Sequence, residues 1–599
     1  MVDRLVVDGT ALAVDPRAGR WLFKLNKRKP HDIMVRYHGT AAGGEEDADL
    51  VIDPAGTFLL GGWYPTFDDG LISYELTVDV PVGQLAVAPG KLVEERSSSG
   101  RYKARYISQG PMEEIALFAG PYVMRERWLQ RRRLRTYFDP SVAELAPAYL
   151  EKAGQYLEFY EAWIGAYPYA GFDVVSGPRP LGLGFPGLTY VGSAVLRLPF
   201  LLDTSLGHEV LHSWWGNGVL IDASRGNWAE GLTTFMADYT YEERKGEAQA
   251  AEMRRRWMRE YAALPPDREQ PLTAFRSRQH TTSQVVGYHK AAMVFFMLRD
   301  VLGQPAFDRG LRRFWERNHF RRASWDDLWQ AFEAVDGEVR PNPVGVRKFF
   351  SQWIERAGAP MLALSEVAVR QEEQGFVLSF VLSQTDPAYK LRVPLVVDSA
   401  TASRAEAEWL DLSTLRYQIG TPDRPHRLCV DPDFRLFRRP GPGEVAPILR
   451  SAAFDPSAPV VIAALNPQVQ AAARNLAARL LEREPQFNGP SAPLPDGTAV
   501  LVGTDAEVEA VLKREALDGL APDIARRGTA RAWTVARLGK GALVVVSGED
   551  AGALSAIAGP LPHYGAESFV VFEGRRLSDR GVWPAGPGPL CVELESEDG

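Results

Sequence analysis

SLGHEVLHSWWGNGVLIDASRGNWAEGLTTF, residues 205–235, is the stretch from which the rest of this chain is read. His208 and His212 are four apart, and on a helix that spacing stacks both rings on one face, where a nitrogen of each can reach a single ion. Glu209 projects beside that face and can take a proton from a metal-activated water. Catalytic zinc keeps three protein ligands and one open position, so a third donor is required. Glu230 is the candidate. Asn227 can cap a helix whose buried stripe is Leu232, Phe235, Met236 and Tyr239, and Glu230 falls in its first turn. Gly216-Asn217-Gly218 ends the first helix, which lets the second fold back on it. The plainer alternatives are two satisfied core histidines and a Glu230 that is only the acid of an Asn-x-x-Glu capping box. The expected cofactor is one Zn2+.

Outward from this stretch the chain changes character several times. The first ~120 residues read as strands, with Ile72 to Gly83 alternating apolar and polar and Gly/Pro punctuation at short intervals. Asp139-Pro140 then reads as an N-cap with proline at the first helical position, followed by Leu150, Leu157, Tyr160 and Ile164 at helical spacing. Amphipathic helix dominates from there to Gly358, interrupted by a Gly/Pro-rich loop from Ser176 to Gly187. Strands return between Pro360 and Pro440. GPGEVAP, from Gly441, reads as a linker, and a strand–helix alternation follows, as in an α/β layer with a partly parallel sheet. The fold class is therefore multidomain α+β, with an N-terminal β-domain (1–125), a mainly helical catalytic domain (126–360), a β-sandwich-like domain (361–445) and a C-terminal α/β domain (446–599).

Bulk properties narrow the function. A chain of 599 residues is too long for one core and suggests about three to five domains. A net charge of −8 argues against a nucleic-acid partner. No apolar run is long enough for a membrane-spanning segment. The start, MVDRLVVDGT, lacks the basic and apolar regions of a signal peptide, and the compartment stays open between cytoplasmic and exported. Cys429 and Cys591 are expected to be buried thiols. The other histidines (His31, His38, His280, His319, His426, His563) show no spacing that suggests a second metal. The sequence leaves oligomeric state undefined.

HEVLHSWWGNG followed by NWAEGLTTF resembles the gluzincin metallopeptidases of the alanyl-aminopeptidase and leukotriene-hydrolase type. The resemblance implies a thermolysin-like catalytic domain, zinc on His208, His212 and Glu230, and Glu209 as general base. GYHKAAMVFFMLRDVLG is similar to the family's Tyr-x-Lys-Gly segment, which implies that Tyr288 hydrogen-bonds the developing oxyanion. PMEEIALFAGPYV and FFSQWIERAGAP resemble the ends of the family's first two domains, so the likeness covers about residues 70–360. The seventeen residues between His212 and Glu230 are one fewer than is usual in the family. The larger departure is in the family's Gly-x-Met-Glu-Asn loop, whose acid grips the substrate's free amine. Here Gly182, Gly184, Phe185 and Gly187 are the candidate substrate-binding positions, and Gly184 stands where that acid is expected.

The implied activity is zinc-dependent hydrolysis of a peptide or protein substrate. One alternative is cleavage within chains, because the amine anchor is missing from its place. An alternative of another class is a catalytically silent, zinc-containing scaffold. A strand at Phe185 to Tyr190 is expected to pair with extended substrate. Thr234 and Asp238 are candidates to hydrogen-bond a metal ligand, whereas His289 and Lys290 are expected to point away from the site. Trp214 and Trp215 are read as packing residues.

Overall fold

A computed structural model describes residues 1–594 except 14, 16–18, 27–28, 42–48, 54–55, 67–69, 199, 278–280, 340–341, 518–522, 538–539 and 587. His280 and the last five residues lie outside the described ones. The chain mixes α and β structure and forms two compact units, residues Met1–Leu220 with Trp315–Arg322, and Ile221–Phe314 with Ala323–Gly599. No helix among the described residues is long and apolar enough to cross a membrane.

The first unit begins with three small antiparallel sheets and continues into a five-stranded one. Its strands run in the order Val123–Leu129, Arg132–Phe138, Gly171–Gly177, Leu188–Gly192, Gly182–Phe185. The middle three are parallel and both edges are antiparallel. Phe58, Phe118, Tyr137, Val175, Leu188 and Tyr190 form a core shared by this sheet and the four-stranded one before it. Asp139 caps a 3-10 turn through Ser141 N, and the helix Ala146–Trp163 follows with Leu150, Leu157 and Tyr160 buried, as their spacing predicts.

The stretch expected to be a loop from Ser176 to Gly187 is instead the end of one strand and most of a hairpin. Its strands are short, and Gly182–Phe185 is half glycine with no polar side chain to alternate, so no period marks it. The strand expected over Phe185 to Tyr190 is also displaced. Pro186-Gly187 is the turn, and the free edge of the sheet is Gly182–Phe185.

In the second unit, helices between Ala229 and Ile354 precede two antiparallel sheets and a seven-stranded mixed one. The mixed sheet has the order Phe487–Asn488, Val460–Ile462, Ala499–Thr504, Leu543–Gly548, Ala530–Val535, Phe569–Glu573, Arg576–Gly581. The first four strands are parallel and the rest antiparallel, matching the partly parallel layer expected. Alternate residues face two cores: Val500, Val502, Val544 and Val546 pack with the Pro467–Leu481 helix, and Leu501, Leu543 and Val545 with the Asp505–Arg514 helix. Both faces are therefore covered, which parallel strands require.

Two sequence expectations are corrected in this unit. GPGEVAP is not a loose linker. Glu444 is buried and accepts from both terminal nitrogens of Arg438, whose Nε donates to the buried Asp431. A buried charge persists only when paired in this way. Cys429 and Cys591 are not free thiols but a disulfide between directly opposed strand residues. Each cysteine's own apolar neighbourhood gave no sign of the other, because the final strand, Cys591–Glu593, returns from the mixed sheet to pair with Pro425–Val430.

The bridge closes a span of 162 residues, for which loop-closure entropy sets an upper limit of about 5 kcal/mol of stabilisation. Thermal melts with and without reductant should show a lower midpoint when the bond is open, and Cys591→Ser should reproduce that shift. Superimposable melts would mean that strand pairing alone secures the tail.

Candidate metal centre

The helix Ser205–Leu211 buries Leu206, Gly207, Val210 and Leu211 and leaves His208 and Glu209 partly exposed, with His212 at its C-terminal end. The backbone bond from His212 N to His208 O, 3.2 Å, keeps the two rings on one face, their centroids 4.9 Å apart. Nδ1 of His212 lies 2.9 Å from the Trp215 carbonyl. A carbonyl can only accept, so Nδ1 carries the proton and Nε2 presents its lone pair, the form a metal needs. Trp215 is held for this by burial. Trp214 and Trp215 are both fully buried, the first donating to Gly165 O at 3.1 Å and the second packed edge-on to Trp315. They pack, as expected.

The edge strand Gly182–Phe185 runs alongside this helix. A Cβ on Gly184 would lie 3.1 Å from both Glu209 Oε2 and His212 Cβ, and one on Gly182 would lie 3.2 Å from Glu209 Oε1. These two positions face the prospective base with hydrogen only. Phe185 turns inward, packed against Phe118, and Gly187 takes a positive φ at the hairpin turn. Gly192 N donates to Leu181 O, and antiparallel alternation then turns the backbone groups of Gly182 and Gly184 to the open edge. Asn217, read from sequence only as part of a helix stop, joins the two elements. Its Nδ2 donates to His212 O at 3.1 Å and to Gly184 O at 3.4 Å.

Glu230 sits in the first turn of the helix Ala229–Thr234, where Asn227 accepts from Ala229 N at 2.9 Å. Leu232, Phe235, Met236 and Tyr239 are all buried, as the stripe predicts. Gly231 is required by packing, since its Cβ would come within 2.1 Å of Ala291 Cβ on the neighbouring helix. From Phe235 to Tyr239 the helix becomes a π-turn, so the regular i+8 spacing that relates Asp238 to Glu230 does not hold there. Thr234 Oγ1 is buried without a hydrogen-bond partner among the described residues.

Tyr288 lies on a second π-turn, Val285–Lys290, and is the one residue of that turn left partly exposed. Its neighbours hold the turn down. Lys290 Nζ donates to the carbonyls of Arg356 and Gly358, and burial pushes its pKa down to about 8. His289 stacks on Trp257, with Nδ1 3.5 Å from buried Glu260 but too misaligned for a hydrogen bond. Burial pushes its pKa down to about 4, against the attraction of Glu260.

His208, His212 and Glu230 each offer one ligand atom, and these atoms all lie within 4.8 Å of one another. It is the one such group of three among the described residues. Two imidazoles and a carboxylate are a donor set suited to zinc.

Residues 202–353 match the Peptidase family M1 domain. "Aminopeptidase RNPEPL1" of Mus musculus is 24% identical over 371 residues, 56% of this chain and 50% of that protein. "Tricorn protease-interacting factor F2" of Thermoplasma acidophilum is 24% identical over 294 residues, 43% of this chain and 34% of that protein. The chain thus spans half or less of the length of these relatives. Among solved structures, Legionella pneumophila aminopeptidase A in complex with aspartic acid shares the fold. Its TM-score is 0.54 at 15% identity, over 80% of this chain and 58% of that one.

The low pKa of His289 has a definite consequence for stability. Between about 4 and the ordinary 6.5 the unfolded chain binds the proton and the folded one does not, so stability falls as pH drops through that window. The loss is at most about 3 kcal/mol. Urea unfolding at pH 7 and pH 5 should register it, and His289→Gln should flatten that segment of the curve. An equal slope in the variant would assign the acid sensitivity to other groups.

Proposed function

We propose that this chain, which carries a peptidase family M1 domain over residues 202–353, is a zinc-dependent hydrolase of peptide bonds. The observation that supports this most is the convergence of His208, His212 and Glu230 donor atoms within 4.8 Å, with Glu209 next to the first of them. In this reading those three residues hold one Zn2+. When bound, the ion polarises the scissile carbonyl and lowers the pKa of the attacking water towards neutrality. Glu209 takes that water's proton and passes it to the leaving amine. Tyr288 donates its phenolic hydrogen to the oxyanion, an interaction whose loss typically costs about a hundredfold or more in rate. Substrate backbone pairs with the open edge of Gly182–Phe185, a mode of binding that relies on main-chain groups.

The four-part organisation belongs to the same reading: β-domain to about residue 125, thermolysin-like catalytic domain to 360, β-sandwich-like domain to 445, and α/β domain beyond. The final strand, paired within the third part, ties the fourth back to it.

Relatives named aminopeptidase favour removal of N-terminal residues. A second reading, cleavage within chains, is favoured by the two glycines facing Glu209. An α-ammonium taken out of water needs a carboxylate beside it, and Gly182–Phe185 contributes none of its own besides the prospective base it faces.

Glu209→Gln should reduce peptide turnover by about a thousandfold or more while zinc content stays near one per chain. Substantial remaining turnover would remove Glu209 from its role. Matched peptides with free and acetylated amino termini separate the two modes of cleavage. Strong preference for the free amine would establish exopeptidase action with an anchor supplied from elsewhere, and comparable rates would establish cleavage within chains.

A further inference from the structure

The helix Glu247–Ala263 and the segments 444–446 and 582–585, all in the second unit, line an open cavity of about 340 Å³. Its lining combines Arg255, Arg259 and Glu252 with the apolar surfaces of Val445, Trp583 and Pro584. Arg259 is buried, at 6% exposure. Its Nη2 donates to Glu252 Oε1 at 2.8 Å, and its Nε is buried with no hydrogen-bond partner among the described residues. Arg255 Nη1 donates to the other oxygen of the same carboxylate at 3.0 Å. One acid is therefore shared by two guanidinium groups. Glu444, also in the wall, turns both of its oxygens to Arg438.

We infer that this cavity is a binding site for a small organic or inorganic anion bearing a carboxylate or phosphate group. Two guanidinium groups that share a single carboxylate are short of acceptors, and planar guanidinium groups match carboxylate and phosphate oxygens in two-point contacts. Glu252 occupies the place of the ligand in part, holding both arginines from one side. The flanking helix gives the site its selectivity for position. Arg254 is committed to Tyr239, Glu247 and the Asp433 carbonyl, and Arg256 leans towards Glu260, so only Arg255 and Arg259 face the space. Trp583, stacked on Phe569 and donating its indole N–H to Thr534, is fixed as an apolar wall and leaves room for an apolar body attached to the anion.

The test uses the 599-residue chain loaded with zinc and two probes, inorganic phosphate and succinate, each titrated calorimetrically against sodium chloride of equal ionic strength. Saturable binding of either probe is expected at millimolar concentration or below, and the stronger of the two identifies the anion class. Arg255→Gln, at a side chain one third exposed and so tolerant of change, should weaken binding about tenfold. Arg259→Gln should weaken it at least as much. Glu252→Gln, which frees both arginines, should tighten it several-fold. The inference is overturned if neither probe binds saturably below about 50 mM, or if the signal follows ionic strength alone. It is equally overturned if the Arg255→Gln and Glu252→Gln proteins bind as the parent does, since the three side chains would then form only a structural ion pair.

Discussion

A metal site built on two imidazoles depends on which nitrogen of each ring is free, and that choice is made by atoms outside the site. Here the Trp215 carbonyl takes the Nδ1 proton of His212. That carbonyl is in place because Trp215 opens a short strand directly after the helix and is packed on all sides. Asn217, two residues on, closes the same turn by bonding the His212 carbonyl and reaches the Gly184 carbonyl on the edge strand. One tight turn thereby fixes the tautomer of a candidate ligand, the end of its helix and the position of the strand beside it. Fifteen tryptophans in the chain look extravagant by composition; several of them, Trp214, Trp215 and Trp228 among them, are fully buried.

Local periodicity made the candidate metal site readable. His208, Glu209 and His212 are related by helical geometry alone, and the stripe of Leu232, Phe235, Met236 and Tyr239 announced the second helix with Asn227 at its start. What stayed hidden depends on tertiary partners. The Gly182–Phe185 edge strand is half glycine and carries no alternation. The π-turns at Phe235 and Val285 have no sequence signature, because a π-insertion is set by packing and by bonds such as Thr240 Oγ1 to the Phe235 carbonyl. Asn217 looks like any turn asparagine until the strand it bonds is known. The pairing of Cys429 with Cys591 joins positions 162 residues apart, and neither the spacing nor the composition between them encodes it.

Buried charge recurs through the second unit with a consistent logic. Arg438 stands between Asp431 and Glu444, Arg254 between Glu247 and the Tyr239 hydroxyl, and Glu260 accepts from Arg450 at 3.1 Å. Each of these is satisfied on several sides, the condition under which an interior ion is tolerable. The last of them matters for chemistry. Arg450 precedes the mixed sheet, whereas Glu260 lies against His289, one residue from Tyr288. A residue just ahead of the mixed sheet thus joins Arg256 in countering the charge of an acid that lies against the neighbour of Tyr288.

The return of the last strand has a mechanical consequence. Residues between the Pro425–Val430 strand and the Cys591–Glu593 strand, which include the whole mixed sheet, leave and re-enter at neighbouring rungs of a single ladder, and the rungs are clasped by sulfur. Tension applied at the carboxyl end would be carried through Cys591 into the Cys429 strand and would bypass the enclosed layer altogether. While the clasp is shut, that layer is sheltered from force; once the clasp is opened, it becomes the first structure in the line of pull.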